Sequence, residues 1–210
     1  MIYPKKNSII FWTMHQYVKW LLGKQFHEIL FNTIETDTNK SVLLIANHYS
    51  FWDTLILYHV NSNLLKKNFH VMILEETSLE QVFLRYAGAF SVDKSSRDML
   101  KSLNYASELL NDPKNLVLIY PQGKLYSNFV NEVHFENGVS RIIKQAQGKF
   151  QLIFAAAFIQ YFKHKKPTAT VYLENMNESF ADKSIDELQS AYQQYYSASK
   201  KLQTEIDIEQ

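Results

Sequence analysis

A histidine and an aspartate stand five positions apart in N-H-Y-S-F-W-D, Asn47 to Asp53, where the apolar run S-V-L-L-I-A-N gives way to a longer segment. A neutral imidazole at the mouth of a strand can take a proton from a hydroxyl, while a carboxylate on its other nitrogen fixes the tautomer and stabilises the imidazolium. Five residues turn two side chains about 140° apart on a helix. His48 and Asp53 therefore meet only if His48 lies in the turn before the helix and Asp53 in its first turn. A structural reading competes: Ser50 to Asp53 is S-x-x-D, a capping-box-like arrangement in which Asp53 serves the helix N-terminus.

Two further stretches carry chemistry-bearing residues. In N-L-V-L-I-Y-P-Q-G-K-L-Y an apolar run ends at Tyr120-Pro121, and Gln122, Gly123 and Lys124 follow. Gly123 lets the backbone approach a ligand closely, and Lys124 offers a point charge for a phosphate. A single glycine is not a Walker loop, and by itself the stretch reads as a turn. In G-A-F-S-V-D-K-S-S-R, Lys94 and Arg97 follow a short strand that opens at Gly88, two cations that could meet a phosphate or face water. The seven histidines form no H-E-x-x-H, no G-x-S-x-G occurs, and the absence of cysteine removes disulfides, thiolate metal sites and a Cys nucleophile. No bound metal or cofactor is expected.

The elements that would position these residues alternate. Strand patterns at S-V-L-L-I-A-N, F-H-V-M-I-L-E-E, A-F-S-V-D, N-L-V-L-I-Y-P, F-Q-L-I-F-A-A-A-F-I and T-A-T-V-Y-L-E-N are interleaved with helix patterns. The helices are expected in 49–60, 79–87, 95–112 and 135–148, with a last one near 184–204. Gly148 is placed to cap the helix before it. This is an α/β pattern: a mixed, mostly parallel central sheet flanked by helices, preceded by an N-terminal amphipathic helical segment. The 210 residues, 46% hydrophobic and 14% aromatic, suffice for one core. The expected organisation is a single domain, with N-terminal helices over 1–38, an α/β core over 39–180 and a C-terminal helix over 181–210. F-K-H-K-K-P-T reads as a solvated turn between the last two strands.

With 22 basic and 21 acidic residues there is no global field to hold nucleic acid. The N-terminal stretch lacks a cleavage-site pattern, and His15, Gln16 and Lys19 interrupt its apolar run, so neither a secretory signal nor a spanning helix is expected. On a helical wheel Ile10, Phe11, Met14, Tyr17, Val18, Leu21 and Leu22 share one face, with Trp12 and Trp20 towards the polar side and Lys5, Lys6, Lys19 and Lys24 adding charge. Such a helix suits the headgroup region of a bilayer, giving an expectation of a cytoplasmic, peripheral membrane protein.

Taken in order, the three stretches resemble the motifs of the PlsC-type glycerolipid acyltransferases, the lysophospholipid acyltransferase superfamily. The family's N-H-x-x-x-x-D is complete from Asn47 to Asp53; its G-x-I-x-V-x-R is similar to Gly88 through Lys94, with lysine for arginine; its F-P-E-G-T-R-S aligns with Tyr120 through Tyr126. H-F-E-N-G-V-S-R-I-I and L-I-F-A-A-A-F-I are similar to the stretches that follow, so the resemblance covers about residues 40 to 175. It implies that His48 deprotonates an acceptor hydroxyl with Asp53 as orienter, and that the hydroxyl attacks an acyl thioester on coenzyme A or acyl carrier protein. It also implies a substrate site from Asn47, Lys94, Tyr120, Pro121, Gln122, Gly123 and Lys124, with backbone amides around Gly123 as donors to the oxyanion. The expected partners are a membrane surface, the thioester donor and a lipid acceptor such as lysophosphatidate or a glycolipid. The departures bear on the acceptor. Gln122, Leu125 and Lys94 stand where the family carries Glu and two Arg, and loss of planar bidentate donors argues against a phosphate-bearing acceptor. The alternative from another class is a non-catalytic, peripheral lipid-binding protein of the same fold.

Overall fold

The computed structural model describes residues 2–5, 7–74, 85–86, 88–92, 98–176 and 180–207. Seven strands form one sheet in the order β1-β7-β6-β2-β5-β3-β4. They are β1 (Glu28–Phe31), β2 (Ser41–Ala46), β3 (Asn68–Leu74), β4 (Ala89–Val92), β5 (Asn115–Ile119), β6 (Phe150–Gln160) and β7 (Thr168–Met176). β6, β2, β5, β3 and β4 run parallel, whereas β7 is antiparallel to β6 and carries β1 parallel to itself. The fold is thus α/β with a mixed, mostly parallel sheet flanked by helices, as the alternation of patterns implies.

Parallel central strands must be covered on both faces, which is why they read as unbroken apolar runs. In β2, Val42, Leu44 and Ala46 enter one core cluster while Leu43 and Ile45 enter the other. The first cluster is closed by helices α1 (Ser8–Gln25) and α2 (Trp52–Val60). The second is closed by α3 (Asp98–Leu109), α4 (Gly138–Ala146) and α5 (Ile185–Thr204). Helix starts follow local chemistry. Asn7 accepts from the amides of Ile9 and Ile10 at the head of α1, and Ser184 with Glu187 makes a reciprocal capping box at the head of α5. α2 passes directly into one π-helical turn, Asn61–Leu65, closed by Lys66 in the left-handed region.

Two expectations change. Helix does not extend over residues 1–38: α1 ends at Gln25, and Glu28–Phe31 is an edge strand bonded to β7, so the sheet begins before residue 39. Four residues are too few to show a period, and only partnership with β7 makes them a strand. The wheel face of α1 also splits. Met14, Val18 and Leu22, at spacings of four, are the side chains buried against the core, while Ile10, Phe11 and Tyr17 stay exposed beside Trp12 and Trp20. No helix among the described residues is long and apolar enough to cross a membrane. The helix expected over 79–87 falls mostly outside the described residues, as does Lys94.

Gly88 sits at φ +92°, and a Cβ there would lie 1.9 Å from the carbonyl oxygen of Phe69, so the turn entering β4 accepts only glycine.

Candidate functional site

β2 and β5 are hydrogen-bonded neighbours, with Ile45 opposite Ile119, so the segments leaving their carboxyl ends emerge side by side. Ligand sites of open α/β sheets form at such carboxyl edges. Asn47 and His48 leave β2 there, and Tyr120, Pro121 and Gln122 leave β5.

His48 folds back on the first turn of α2. Its Nδ1 lies 2.9 Å from Asp53 Oδ2, the imidazole is 23% exposed, and Asp53 is wholly buried. The same oxygen accepts the main-chain N–H groups of Tyr49 at 2.7 Å and Ser50 at 2.9 Å, and Oδ1 accepts the Ser50 hydroxyl at 2.7 Å. Ser50 Oγ in turn accepts the amide of Trp52 at 3.1 Å. One carboxylate thus meets both the turn and the ring: it accepts the amides of Tyr49 and Ser50 and lies against His48 Nδ1. A buried carboxylate needs such donors to offset its lost hydration. With Nδ1–H donating to Asp53, Nε2 carries the lone pair and can receive a proton from a group arriving at the edge of the sheet.

The loop after β5 fixes His48 from the other side. Gln122 is buried, and its Oε1 accepts the His48 amide at 2.8 Å, while the Tyr126 amide donates to the His48 carbonyl at 3.1 Å. An amide oxygen accepts here as a carboxylate oxygen would. Gly123, at φ +64°, donates its N–H to the Tyr120 carbonyl and closes the turn. That amide is consequently committed, whereas the amides of Lys124 and Leu125 have no acceptor among the described residues. Pro121 supports the loop through its carbonyl, which accepts the Glu136 amide. Lys124 is exposed, with its ammonium 5.1 Å from the centre of the Tyr126 ring.

Asn47 is buried and acts on the neighbouring strand. Its Nδ2 donates to the Ala157 carbonyl at 3.0 Å, and its Oδ1 accepts the Ala157 amide at 2.8 Å, prolonging the β2–β6 ladder with a side chain. Tyr120 lies behind the imidazole: the two rings stack with centroids 3.9 Å apart and planes 14° from parallel. Its hydroxyl pairs at 3.0 Å with Oγ1 of Thr54, the residue after Asp53. Burial, and next the Asp53 carboxylate, push the Tyr120 phenol well above its ordinary value, so it stays a neutral hydrogen-bonding group. Sequence reasoning grouped Asn47 and Tyr120 with substrate contacts; the geometry gives both a partner within the protein. The stack carries no sequence signal beyond an aromatic residue leaving one strand and a histidine leaving another.

The stack has a measurable consequence. Tyr120→Phe keeps the ring face but orphans Thr54, costing about 1 kcal/mol of stability, and pairing it with Thr54→Val restores most of that. Tyr120→Leu frees the imidazole to rotate and lowers kcat by about tenfold with little change in KM, since ring placement and not binding is lost. Steady-state kinetics on the three variants checks this.

A parallel sheet edge that presents an imidazole with one nitrogen held by a carboxylate and the other open is suited to group transfer to or from a hydroxyl. The family model described as Acyltransferase matches residues 28–159, more than half of the chain, and the chain belongs to the Acyltransferase family: it is an acyltransferase. No curated protein matches it. Its fold is similar to the crystal structure of the 1-acyl-sn-glycerophosphate (LPA) acyltransferase PlsC from Thermotoga maritima, with a TM-score of 0.65 at 13% identity over 94% of this chain and 81% of that one.

Proposed function

We propose that the protein moves a fatty acyl group from an acyl thioester, on coenzyme A or acyl carrier protein, to a hydroxyl of a lipid acceptor. The observation that carries this reading is the 2.9 Å contact of His48 Nδ1 with buried Asp53, which leaves Nε2 open at the sheet edge within an acyltransferase domain. Nε2 takes the acceptor's hydroxyl proton as its oxygen attacks the thioester carbonyl; the tetrahedral intermediate collapses with loss of the C–S bond, and the imidazolium returns the proton to the departing thiolate. Asp53 stabilises the imidazolium throughout. The oxyanion is assigned to the amides of Lys124 and Leu125, in the loop whose Tyr126 amide is bonded to the His48 carbonyl.

The acceptor is an uncharged lipid alcohol, such as a glycolipid, in preference to lysophosphatidate. Gln122 is spent on the His48 amide, and exposed Leu125 offers no donor where the family motif carries arginine. The enzyme works at a membrane surface on the cytoplasmic side. Ile9, Trp12, Tyr17 and Trp20 of α1 are exposed, Trp12 and Trp20 at 62% and 56%, with Lys19 and Lys24 beside them, the composition of a helix seated among headgroups.

The test is release of free thiol from acyl-CoA and acyl carrier protein donors offered with lysophosphatidate, glycerol phosphate or neutral glycolipid on vesicles. Thiol release that depends on the glycolipid supports the full reading. Release with lysophosphatidate alone keeps acyl transfer but overturns the acceptor. Vesicle binding without release from any pair replaces catalysis by lipid binding.

A further inference from the structure

We infer that the cleft between α1 and α2 is an anion site that takes a phosphate group, separate from the His48 site. The cleft encloses about 110 Å³ and is lined by His15 and Lys19 of α1, Tyr58 and His59 of α2, and Ser62 and Asn63 of the π turn, together with Val18. Three side chains that carry or can carry positive charge converge there, and among the described residues no carboxylate lines it. Among the described residues Lys19 forms no ion pair, which leaves its charge available to a ligand.

Of the neutral members, the Tyr58 hydroxyl can donate to an anion while accepting from His15 Nδ1. Tyr58 Oη lies 3.0 Å from His15 Nδ1, and burial raises the phenol's proton affinity, which keeps it a hydroxyl. The carbonyls that end α2 would repel an anion, but they are already occupied: Ser62 Oγ donates to the Tyr58 carbonyl at 2.8 Å and Asn63 Nδ2 to that of His59 at 2.8 Å. Continuation of α2 into the π turn moves the negative end of the helix on to Lys66.

The groups that face His59 are His15 and Lys19 from α1, the Phe31 ring from β1 and the Asn63 amide. Burial, then the neighbouring His15 and Lys19, hold its proton affinity below the ordinary histidine value. An anion seated among them reverses the electrostatic part of that shift, so binding takes up a proton and strengthens as pH falls through the histidine range. His59 is six residues along α2 from Asp53, a rise of roughly 9 Å, which places this site at the opposite end of the helix from the catalytic pair. Lys19 also lines the outward groove formed with Trp20 and Lys24, so both a bilayer phosphodiester and a soluble phosphate can reach it. The inference does not depend on acyl transfer.

Two measurements on the full chain test it. In the first, the imidazole resonances are titrated in inorganic phosphate against chloride at equal ionic strength. The expected result is a His59 midpoint about one unit higher in phosphate, with the rise lost in the surface variant Lys19→Met. In the second, vesicles of phosphatidylcholine with or without phosphatidylglycerol, a phosphodiester that does not titrate near neutrality, are sedimented with wild type and His59→Gln. Several-fold stronger binding of wild type to the anionic vesicles near pH 6 than near pH 8, abolished in His59→Gln, identifies the ligand as a lipid headgroup. A raised midpoint without that difference identifies free phosphate. An unmoved His59 midpoint, together with vesicle binding indifferent to Lys19 and His59, overturns the site.

Discussion

His48→Ala lowers acyl transfer by about 100- to 10,000-fold while leaving the fold intact, the loss typical of a removed acid–base group. The fold survives because what anchors this position is main chain: Gln122 still receives the residue's amide and Tyr126 still donates to its carbonyl. Asp53→Asn gives a comparable loss by a different route and is not structurally silent. Three N–H donors meet at Asp53 Oδ2 and a hydroxyl at Oδ1, and an amide can turn only one oxygen towards them. With the oxygen at the Oδ2 position, the new NH₂ faces Ser50 Oγ; turned the other way, it confronts His48 Nδ1–H and two amides. The first orientation keeps the ring's tautomer but surrenders the charge that stabilises the imidazolium. Thermal unfolding separates the pair: His48→Ala unfolds near wild type, while Asp53→Asn loses about 1–3 kcal/mol from its rearranged buried donors. Equal activity of His48→Ala and wild type would remove His48 from the mechanism.

Asn47→Ala has the largest effect on stability at the site, about 2–4 kcal/mol, because it strands the Ala157 amide and carbonyl facing β2 with neither protein nor water to satisfy them. The loss is not confined to folding. Asn47 immediately precedes His48, so freeing the end of β2 from β6 loosens the segment that aims the imidazole. Chemical denaturation should show the lower midpoint with an unchanged slope, and residual activity should fall more steeply with temperature than in wild type. Asn47→Asp, which keeps one acceptor for the Ala157 amide but sets a carboxylate against its carbonyl, is no rescue.

The strands were legible wherever both faces are buried, since Val42 to Ala46 and Leu116 to Ile119 cannot be read as anything amphipathic. β1 was not, because its burial alternates weakly and its identity depends on β7, some 140 residues distant in sequence. The His48–Asp53 contact was legible because five-residue spacing demands a turn-to-helix placement, and the turn is there. What sequence spacing does not encode is contact between different strands. The Tyr120 stack, the Gln122 hold on His48 and the Asn47 bridge all join positions dozens of residues apart, and each side chain had a simpler role as a substrate contact. On α1, period alone drew one apolar face, whereas docking on the core selects three residues and leaves the other aromatics outside.

The segment after β5 grips His48 with two side chains, Tyr120 and Gln122, and otherwise with the backbone of Tyr126. The side chains between, Lys124 and Leu125, are exposed and bear none of that load. Under the proposed mechanism, evolution, or a laboratory library confined to these two positions, would explore new acceptors while the proton-transfer apparatus is inherited unchanged, a division of labour that would make selectivity more evolvable than chemistry.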